Sequence, residues 1–98
     1  MNSGQTCVCP DYVMVHADIY DQFKDGVVKT VKSMYYNEDG SVNSQHQVKI
    51  VNGFFTQRLA DMIHKTNGTL LLGGHCDIKN RTISPTIIDQ PSLTETLM

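Results

Sequence analysis

Apolar residues recur at helical spacing in the first half of the chain. Four-residue steps separate most members of this stripe, which are Ile19, Phe23, Val27, Val31 and Met34. The period predicts one face of an amphipathic helix that ends near Met34. Asp18 can cap the helix N-terminus, and Asp21 complements its positive end. Gly26 costs the helix ~1 kcal/mol relative to alanine, so other contacts must hold it.

A second stripe predicts a second helix in the other half of the chain. Its apolar members are Phe55, Leu59, Met62 and Ile63. Asn52 precedes them and can act as the N-cap, because its side-chain oxygen can accept a hydrogen bond from a free backbone N–H. The Asn67-Gly68 pair predicts the end of this helix, with a residue in the left-handed conformation.

Three segments have the composition of strands. Residues 11–16 alternate valine with other side chains, and residues 69–72 form a short apolar run that Gly73-Gly74 stops. Residues 81–89 are rich in β-branched side chains, and Pro85 places that strand at a sheet edge or breaks it.

A polar stretch, residues 37–47, separates the two predicted helices. Asp39-Gly40 within it is a turn signal, so the stretch is interpreted as an exposed loop. The predicted order is strand, helix, loop, helix, strand, strand. This alternation is typical of the α/β class, within one small domain.

Composition and charge exclude several classes of function. The chain has 98 residues, a formal net charge of -2 and 40% hydrophobic residues. No basic stripe favours nucleic acid or an acidic membrane surface, and no apolar run approaches the roughly 20 residues of a membrane span. The N-terminal residues have no secretory pattern, and three cysteines are an odd number for a disulfide framework. We therefore expect an intracellular, cytoplasmic and reducing setting.

Cys7 is the strongest candidate for chemistry. It follows Gly4-Gln5 and precedes an apolar segment, which is a placement typical of an exposed nucleophile; the alternative is a buried, inert thiol. Cys9 is either a small core residue or a partner that traps Cys7 in a disulfide under oxidation. No metal site is predicted, because closed zinc sites need four ligands and His75-Cys76 is the only other candidate pair.

The residues around Cys7 resemble a known catalytic segment. Asn2, Gly4-Gln5 and Thr6-Cys7, followed by residues 10–13 (Pro-Asp-Tyr-Val), are similar to the nucleophile segment of aldehyde dehydrogenases, most closely in the class 3 and fatty-aldehyde branch. Later matches follow in the same order, and they are Ile50-Val51-Asn52, Arg58-Leu59, Gly73-Gly74, Asp77, Arg81, Pro85-Thr86-Ile87 and Met98.

The resemblance implies an NAD(P)-dependent oxidation of aldehydes to carboxylic acids through a cysteine thiohemiacetal and thioester. It assigns Cys7 as the nucleophile, Thr6 to the substrate pocket and Arg58 to the ribose of NAD or NADP. It further implies a mostly parallel sheet with flanking helices, and a homo-oligomer in the full-length enzyme. The family's Rossmann-like cofactor domain and its general-base glutamate have no counterpart in these residues. We therefore expect residues 1–98 to be a fragment of a single catalytic domain that is inactive alone.

Several positions depart from the family pattern and leave alternatives open. Cys9 replaces the usual alanine, whereas Val48, Lys49 and Phe55 differ on the cofactor side. One alternative is a non-enzymatic interaction module that pairs with full-length subunits through strand edges. Another is a thiol esterase that uses Cys7 without a cofactor.

Overall fold

The computed structural model describes residues 2–43, 45, 47–95 and 97, and the chain divides into two units, Met1–Gln47 and Val48–Met98. The first unit holds helix α1 (Tyr20–Tyr35) after a 3-10 turn. The second holds helix α2 and four short strands: α2 Gly53–Lys65, β1 Thr69–Leu72, β2 Cys76–Asp77, β3 Thr82–Ile83 and β4 Ile87–Asp89. Ser44 and His46 of the predicted loop, and the terminal Met98, lie outside the described residues.

Helix α1 begins and ends close to the predicted positions, but Asp18 does not cap it. The chain enters the helix through a 3-10 turn, Ala17–Ile19. His16 Nδ1 accepts a hydrogen bond of 3.1 Å from the backbone N–H of Asp18. The prediction of Asp18 as the cap is wrong, because Asp18 lies inside the 3-10 turn that His16 caps, and Ile19 at the N-cap position of α1 makes no side-chain capping bond.

The apolar stripe of α1 is helical as predicted, yet the described residues do not bury it. No residue of the helix is buried, and Ile19 and Met34 are 52% and 55% exposed. After the helix, Tyr36 forms an isolated antiparallel bridge with Val42, and Gly40 adopts a φ of 89° in the turn between them. The Asp39-Gly40 turn is therefore confirmed.

Asn52 caps α2 as predicted. Its Oδ1 accepts a hydrogen bond of 2.9 Å from the backbone N–H of Phe55. The helix ends at Lys65, and neither Asn67 nor Gly68 has a positive φ, so the predicted left-handed terminus is wrong. Gly68 is required for a different reason. A β-carbon there would lie 2.5 Å from Ile88 Cγ2 and 2.9 Å from the carbonyl oxygen of Asp89.

Strands β1 and β4 form an antiparallel pair between two glycines. Thr69 pairs with Asp89, and the register shifts by a bulge between Leu70 and Leu72. Gly68 precedes β1, and Gly73, with a φ of 83°, follows it. A β-carbon on Gly73 would meet the carbonyl oxygen of Pro85 at 2.2 Å. Because Gly68 and Gly73 have no side chains, the backbone on either side of β1 can approach the segment that contains β4.

Strands β2 and β3 form an antiparallel hairpin that the sequence patterns do not predict. Asp77 Oδ1 accepts a hydrogen bond from the backbone N–H of Asn80, and its Oδ2 accepts one from Asn80 Nδ2. These bonds hold the pKa of Asp77 below its usual value. Arg81 closes the turn at a φ of 58°, and its carbonyl oxygen accepts a hydrogen bond from Ile50 N at 2.7 Å.

Two strand predictions need correction. Residues 81–89 form two strands separated near Pro85, so the predicted break is confirmed. Residues 11–16, predicted as a strand, pair with no other strand among the described residues, and a strand without a neighbour has no ladder of hydrogen bonds. Both sheets found in the described part of the chain are antiparallel, so the mostly parallel sheet is not confirmed.

The buried core of the second unit is small. It consists of Ile50, Thr56, Ala60 and Ser84. Thr56 and Ser84 are tolerated there because both hydroxyls are hydrogen-bonded: Thr56 Oγ1 donates to the carbonyl oxygen of Asn52, and Ser84 Oγ accepts from the backbone N–H of His75. Within the described ranges, no helix is long and apolar enough to cross a membrane.

Candidate active site

The turn before Cys7 is held by bonds between two amide side chains and the backbone. Asn2 Nδ2 donates to the carbonyl oxygen of Gln5 at 3.0 Å, and Gln5 Nε2 donates to that of Asn2 at 2.9 Å. The backbone N–H of Gln5 also donates to Asn2 at 3.2 Å. Ser3 and Gly4 occupy the tip with φ values of 58° and 75°, a conformation that glycine adopts without strain. The turn thus fixes the backbone that leads into Cys7.

Cys7 itself is an exposed, free thiol. The chain bends at Thr6, Cys7 and Val8, and the hydroxyl of Thr6 donates to the carbonyl oxygen of Val8 at 3.2 Å. In the part of the chain that the structure describes, neither the thiol nor the backbone N–H of Cys7 has a hydrogen-bond partner. Both groups are therefore available to a reactant. The alternative of a buried thiol does not hold for this chain.

Cys9 lies on the same turn and is also exposed. Its Sγ donates to the carbonyl oxygen of Pro10 at 3.5 Å, and it lies 3.4 Å from the position that a β-carbon on Gly4 would take. Of the two alternatives for Cys9, the small core residue is therefore wrong, because the side chain is exposed.

Arg58 belongs to the second unit and lies on the exposed side of α2. Its Nη1 is 3.6 Å from Met62 Sδ, and its guanidinium carbon is 5.9 Å from the centre of the Phe55 ring. A groove of about 250 Å³ opens beside it and is lined in part by Lys65 and Glu95. Phe55 therefore supports the Arg58 cation, although it replaces the polar residue that the family pattern led us to expect.

One of the described residues, Arg58, could contact the dinucleotide that the family uses. Arg58 offers a guanidinium that suits a ribose hydroxyl or a phosphate oxygen. The N-terminus of α2, where a phosphate could otherwise bind, is capped by Asn52, and His16 caps the 3-10 turn before α1. Among the described residues Arg58 is therefore the candidate contact to NAD(P), and the sequence has no dinucleotide-binding fingerprint such as Gly-x-Gly-x-x-Gly.

Cys76, the third cysteine, differs from the other two. It lies half-buried in β2, with its Sγ 3.7 Å from the carbonyl oxygen of Gly74. Burial raises the pKa of this thiol above its usual value, which lowers its thiolate fraction at neutral pH. Among the described residues no three metal-ligating side chains come together, and this includes the neighbourhood of His75-Cys76.

Sequence reasoning missed Glu95, which joins the C-terminal segment to the end of α2. Its Oε1 accepts a hydrogen bond from the hydroxyl of Thr66, and its Oε2 accepts from the backbone N–H groups of Asn67 and Ser92 at 3.1 and 3.2 Å. The Thr66 hydroxyl is the main cause that holds the pKa of Glu95 below its usual value. The first two partners lie 29 and 28 residues away along the chain, so no local sequence pattern could have predicted these contacts.

The turn around Cys7 can be compared with known proteins. The sequence matches the aldehyde dehydrogenase family over residues 1–98. The chain belongs to the aldehyde dehydrogenase family. The resemblance to aldehyde dehydrogenases is thereby confirmed.

Three curated aldehyde dehydrogenases show how similar this chain is to known members of the family. It is 32% identical over 97 residues to 4,4'-diaponeurosporen-aldehyde dehydrogenase of Staphylococcus aureus, with 99% of this chain and 21% of the relative covered. It is 38% identical over 88 residues to the dimeric NADP-preferring aldehyde dehydrogenase of Rattus norvegicus, covering 90% of this chain and 18% of the relative. It is 32% identical over 97 residues to aldehyde dehydrogenase family 3 comG of Dictyostelium discoideum, covering 99% and 20%. The chain therefore spans about a fifth of the length of these curated relatives.

Proposed function

We propose that this chain carries the nucleophile of an NAD(P)-dependent aldehyde dehydrogenase, and that Cys7 is the residue that bonds to the aldehyde carbon. The observation that carries the proposal is the exposed Cys7 thiol on its hydrogen-bonded turn, in a chain of this family. We further propose that the rest of the catalytic domain, including most of the cofactor site and the general base, comes from other segments, because the chain spans about a fifth of the relatives' length.

The chemistry begins with addition of the Cys7 thiolate to the aldehyde carbonyl. The carbon becomes tetrahedral, a thiohemiacetal forms, and the carbonyl oxygen takes the negative charge. The backbone N–H of Cys7 has no acceptor in the described part of the chain, so it is free to donate to that oxygen. This donor stabilises the developing charge without any rearrangement of the turn.

The covalent bond then makes oxidation possible. The thiohemiacetal carbon is electron-rich enough to expel hydride, and its loss leaves a Cys7 thioester. NAD(P), when bound, supplies the acceptor for that hydride. Water hydrolyses the thioester and releases the carboxylic acid together with the free thiol. Division of one difficult reaction into two easier steps is the usual benefit of a covalent intermediate.

Thr6 and Arg58 have supporting roles in this proposal. The Thr6 hydroxyl is engaged with the carbonyl oxygen of Val8, so Thr6 would present mainly its methyl group to an aldehyde. Arg58 would contact the ribose or a phosphate of the cofactor through its exposed guanidinium.

A mostly parallel sheet with flanking helices would form when this chain joins the rest of the domain.

The test compares Cys7→Ser and Cys9→Ser in the intact enzyme that contains this segment. Serine is a much weaker nucleophile at neutral pH, so we expect Cys7→Ser to lower kcat on the order of 10³-fold or more. Cys9→Ser is the matched control, since it makes the same change two residues away, and it should retain kcat within about a factor of three. NAD(P)H formation with an aldehyde measures both. Wild-type kcat in Cys7→Ser would contradict the proposal.

A further inference from the structure

The second exposed thiol lies against the turn that presents Cys7. Cys9 Sγ stands 3.4 Å from the position of a β-carbon on Gly4, which is ordinary van der Waals contact. The sulfur of Cys9 therefore lies beside the turn that precedes Cys7, while it also donates to the carbonyl oxygen of Pro10 at 3.5 Å. Nothing in the proposed dehydrogenase reaction uses this thiol.

The spacing of the two cysteines satisfies the first requirement of a disulfide. Two residues of fully extended chain span at most about 7 Å, and disulfides join Cα atoms about 4.4–6.8 Å apart. The chain bends at Thr6, Cys7 and Val8, where the Thr6 hydroxyl donates to the carbonyl oxygen of Val8, so this segment is not fully extended. Both thiols are free and exposed, so an oxidant can reach them.

We propose that Cys9 is a resolving thiol for Cys7: reaction with a peroxide gives a reversible Cys7–Cys9 disulfide that protects the nucleophile from irreversible oxidation. The inference rests on the proposed function only in so far as it makes Cys7 the catalytic residue. It extends that function, because a reversible oxidation would switch the enzyme off and a dithiol reductant would restore it.

The proposed reaction has two balanced steps. The Cys7 thiol is oxidised by hydrogen peroxide to a sulfenic acid, and one molecule of water is released. The Cys9 sulfur then attacks the sulfenic sulfur, the S–S bond forms, and the hydroxyl leaves as a second water. The two thiols together lose two electrons and two protons, and the peroxide is reduced to water.

Cys76 provides an internal reference in the same chain. It is half-buried, and its raised pKa leaves little thiolate at neutral pH. Peroxide should therefore oxidise Cys76 more slowly than Cys7. Cys76→Ser should leave the oxidation of the Cys7 peptide unchanged.

The test uses the reduced 98-residue chain, hydrogen peroxide at neutral pH and mass spectrometry of the proteolytic peptides. In the wild type, the peptide that contains Cys7 and Cys9 should lose two hydrogens, and dithiothreitol should restore it. In Cys9→Ser, Cys7 has no resolving partner, so it should gain two oxygens as sulfinic acid, severalfold more than in the wild type. Dithiothreitol should not reverse this product.

Two results would overturn the inference. One is accumulation of Cys7 sulfinic acid in the wild type as fast as in Cys9→Ser. The other is disulfide formation that is equally fast in urea, where the turn is lost, because the folded turn would then contribute nothing. The experiment needs no aldehyde and no cofactor, so it can fail while Cys7→Ser still abolishes dehydrogenase activity, or succeed while that proposal fails.

Discussion

Glu95 holds two segments of the second unit together through a single carboxylate. Its oxygens accept hydrogen bonds from the Thr66 hydroxyl and from the backbone N–H groups of Asn67 and Ser92. All three bonds favour the ionised form, and they lower the pKa of Glu95 from its ordinary value of 4.5. The contribution to stability is therefore complete above that value, and it is lost as the pH falls through the lowered pKa of the folded state.

We predict that the amide proton shifts of Asn67 and Ser92 follow the ionisation of Glu95, with a midpoint below 4.5. Nuclear magnetic resonance of the 98-residue chain between neutral and acidic pH measures this midpoint. Glu95→Gln should abolish the titration at both amides, whereas Glu38→Gln in the turn of the first unit should leave it unchanged. A midpoint at or above the ordinary value would show that the hydrogen bonds do not favour the carboxylate.

Cys7 could be singled out from its sequence neighbours, whereas Glu95 could not. The nucleophile candidate depends on Gly4-Gln5 and Thr6, which are its immediate neighbours, and the same neighbours build the turn in the structure. Glu95 acts on residues nearly thirty positions away. Only the folded chain brings them together, so spacing along the sequence carries no sign of this contact.

The two helices could be predicted at the scale of elements because each carries a long apolar period. The cap at Asn52 was also predictable, whereas the cap at His16 was not, because a histidine is an uncommon acceptor at a 3-10 turn. Strand β2 has two residues, too few for any alternation to be visible. Residues 11–16 have strand composition, but the composition of a strand does not supply its partner.

Close backbone approach gives a testable claim for the β1–β4 pair. Gly68→Ala places a β-carbon 2.5 Å from Ile88 Cγ2 and 2.9 Å from the carbonyl oxygen of Asp89, so the strands must separate. We expect the free energy of unfolding to fall by about 1–3 kcal/mol. Urea unfolding measures the change.

The matched control is Gly53→Ala in the same unit. A β-carbon on Gly53 has open space around it, and alanine suits the first turn of α2. This variant should be as stable as the wild type or more stable by up to about 1 kcal/mol. Equal losses in Gly68→Ala and Gly53→Ala would mean that the close approach does not constrain the strands.

At the scale of the whole molecule, the chain resembles a part of an enzyme. It spans about a fifth of its curated relatives, and the apolar face of α1 is uncovered among the described residues. Residues 12–14 likewise expose large apolar side chains, and Met14 is 88% exposed. We infer that these surfaces pack against other segments of a complete catalytic domain.

The 98-residue chain alone should therefore not act as a dehydrogenase. We propose that it supplies the nucleophile and one cofactor contact, and that the general base and the phosphate cradle come from elsewhere. Incubation of the purified chain with NAD or NADP and several aldehydes should form no more NAD(P)H than a Cys7→Ala chain forms. Turnover that depends on Cys7 would show that these residues contain a complete active site.

The most direct test of the central claim is to trap the covalent intermediate. The intact enzyme that contains this segment is mixed with an aldehyde and NAD(P), quenched in acid within one turnover, digested and sequenced by mass spectrometry. We predict an acyl group on Cys7, none on Cys9 or Cys76, and none when NAD(P) is omitted. An acyl group on a different residue, or oxidation of the aldehyde with Cys7 unmodified throughout, would contradict the assignment of Cys7 as the nucleophile.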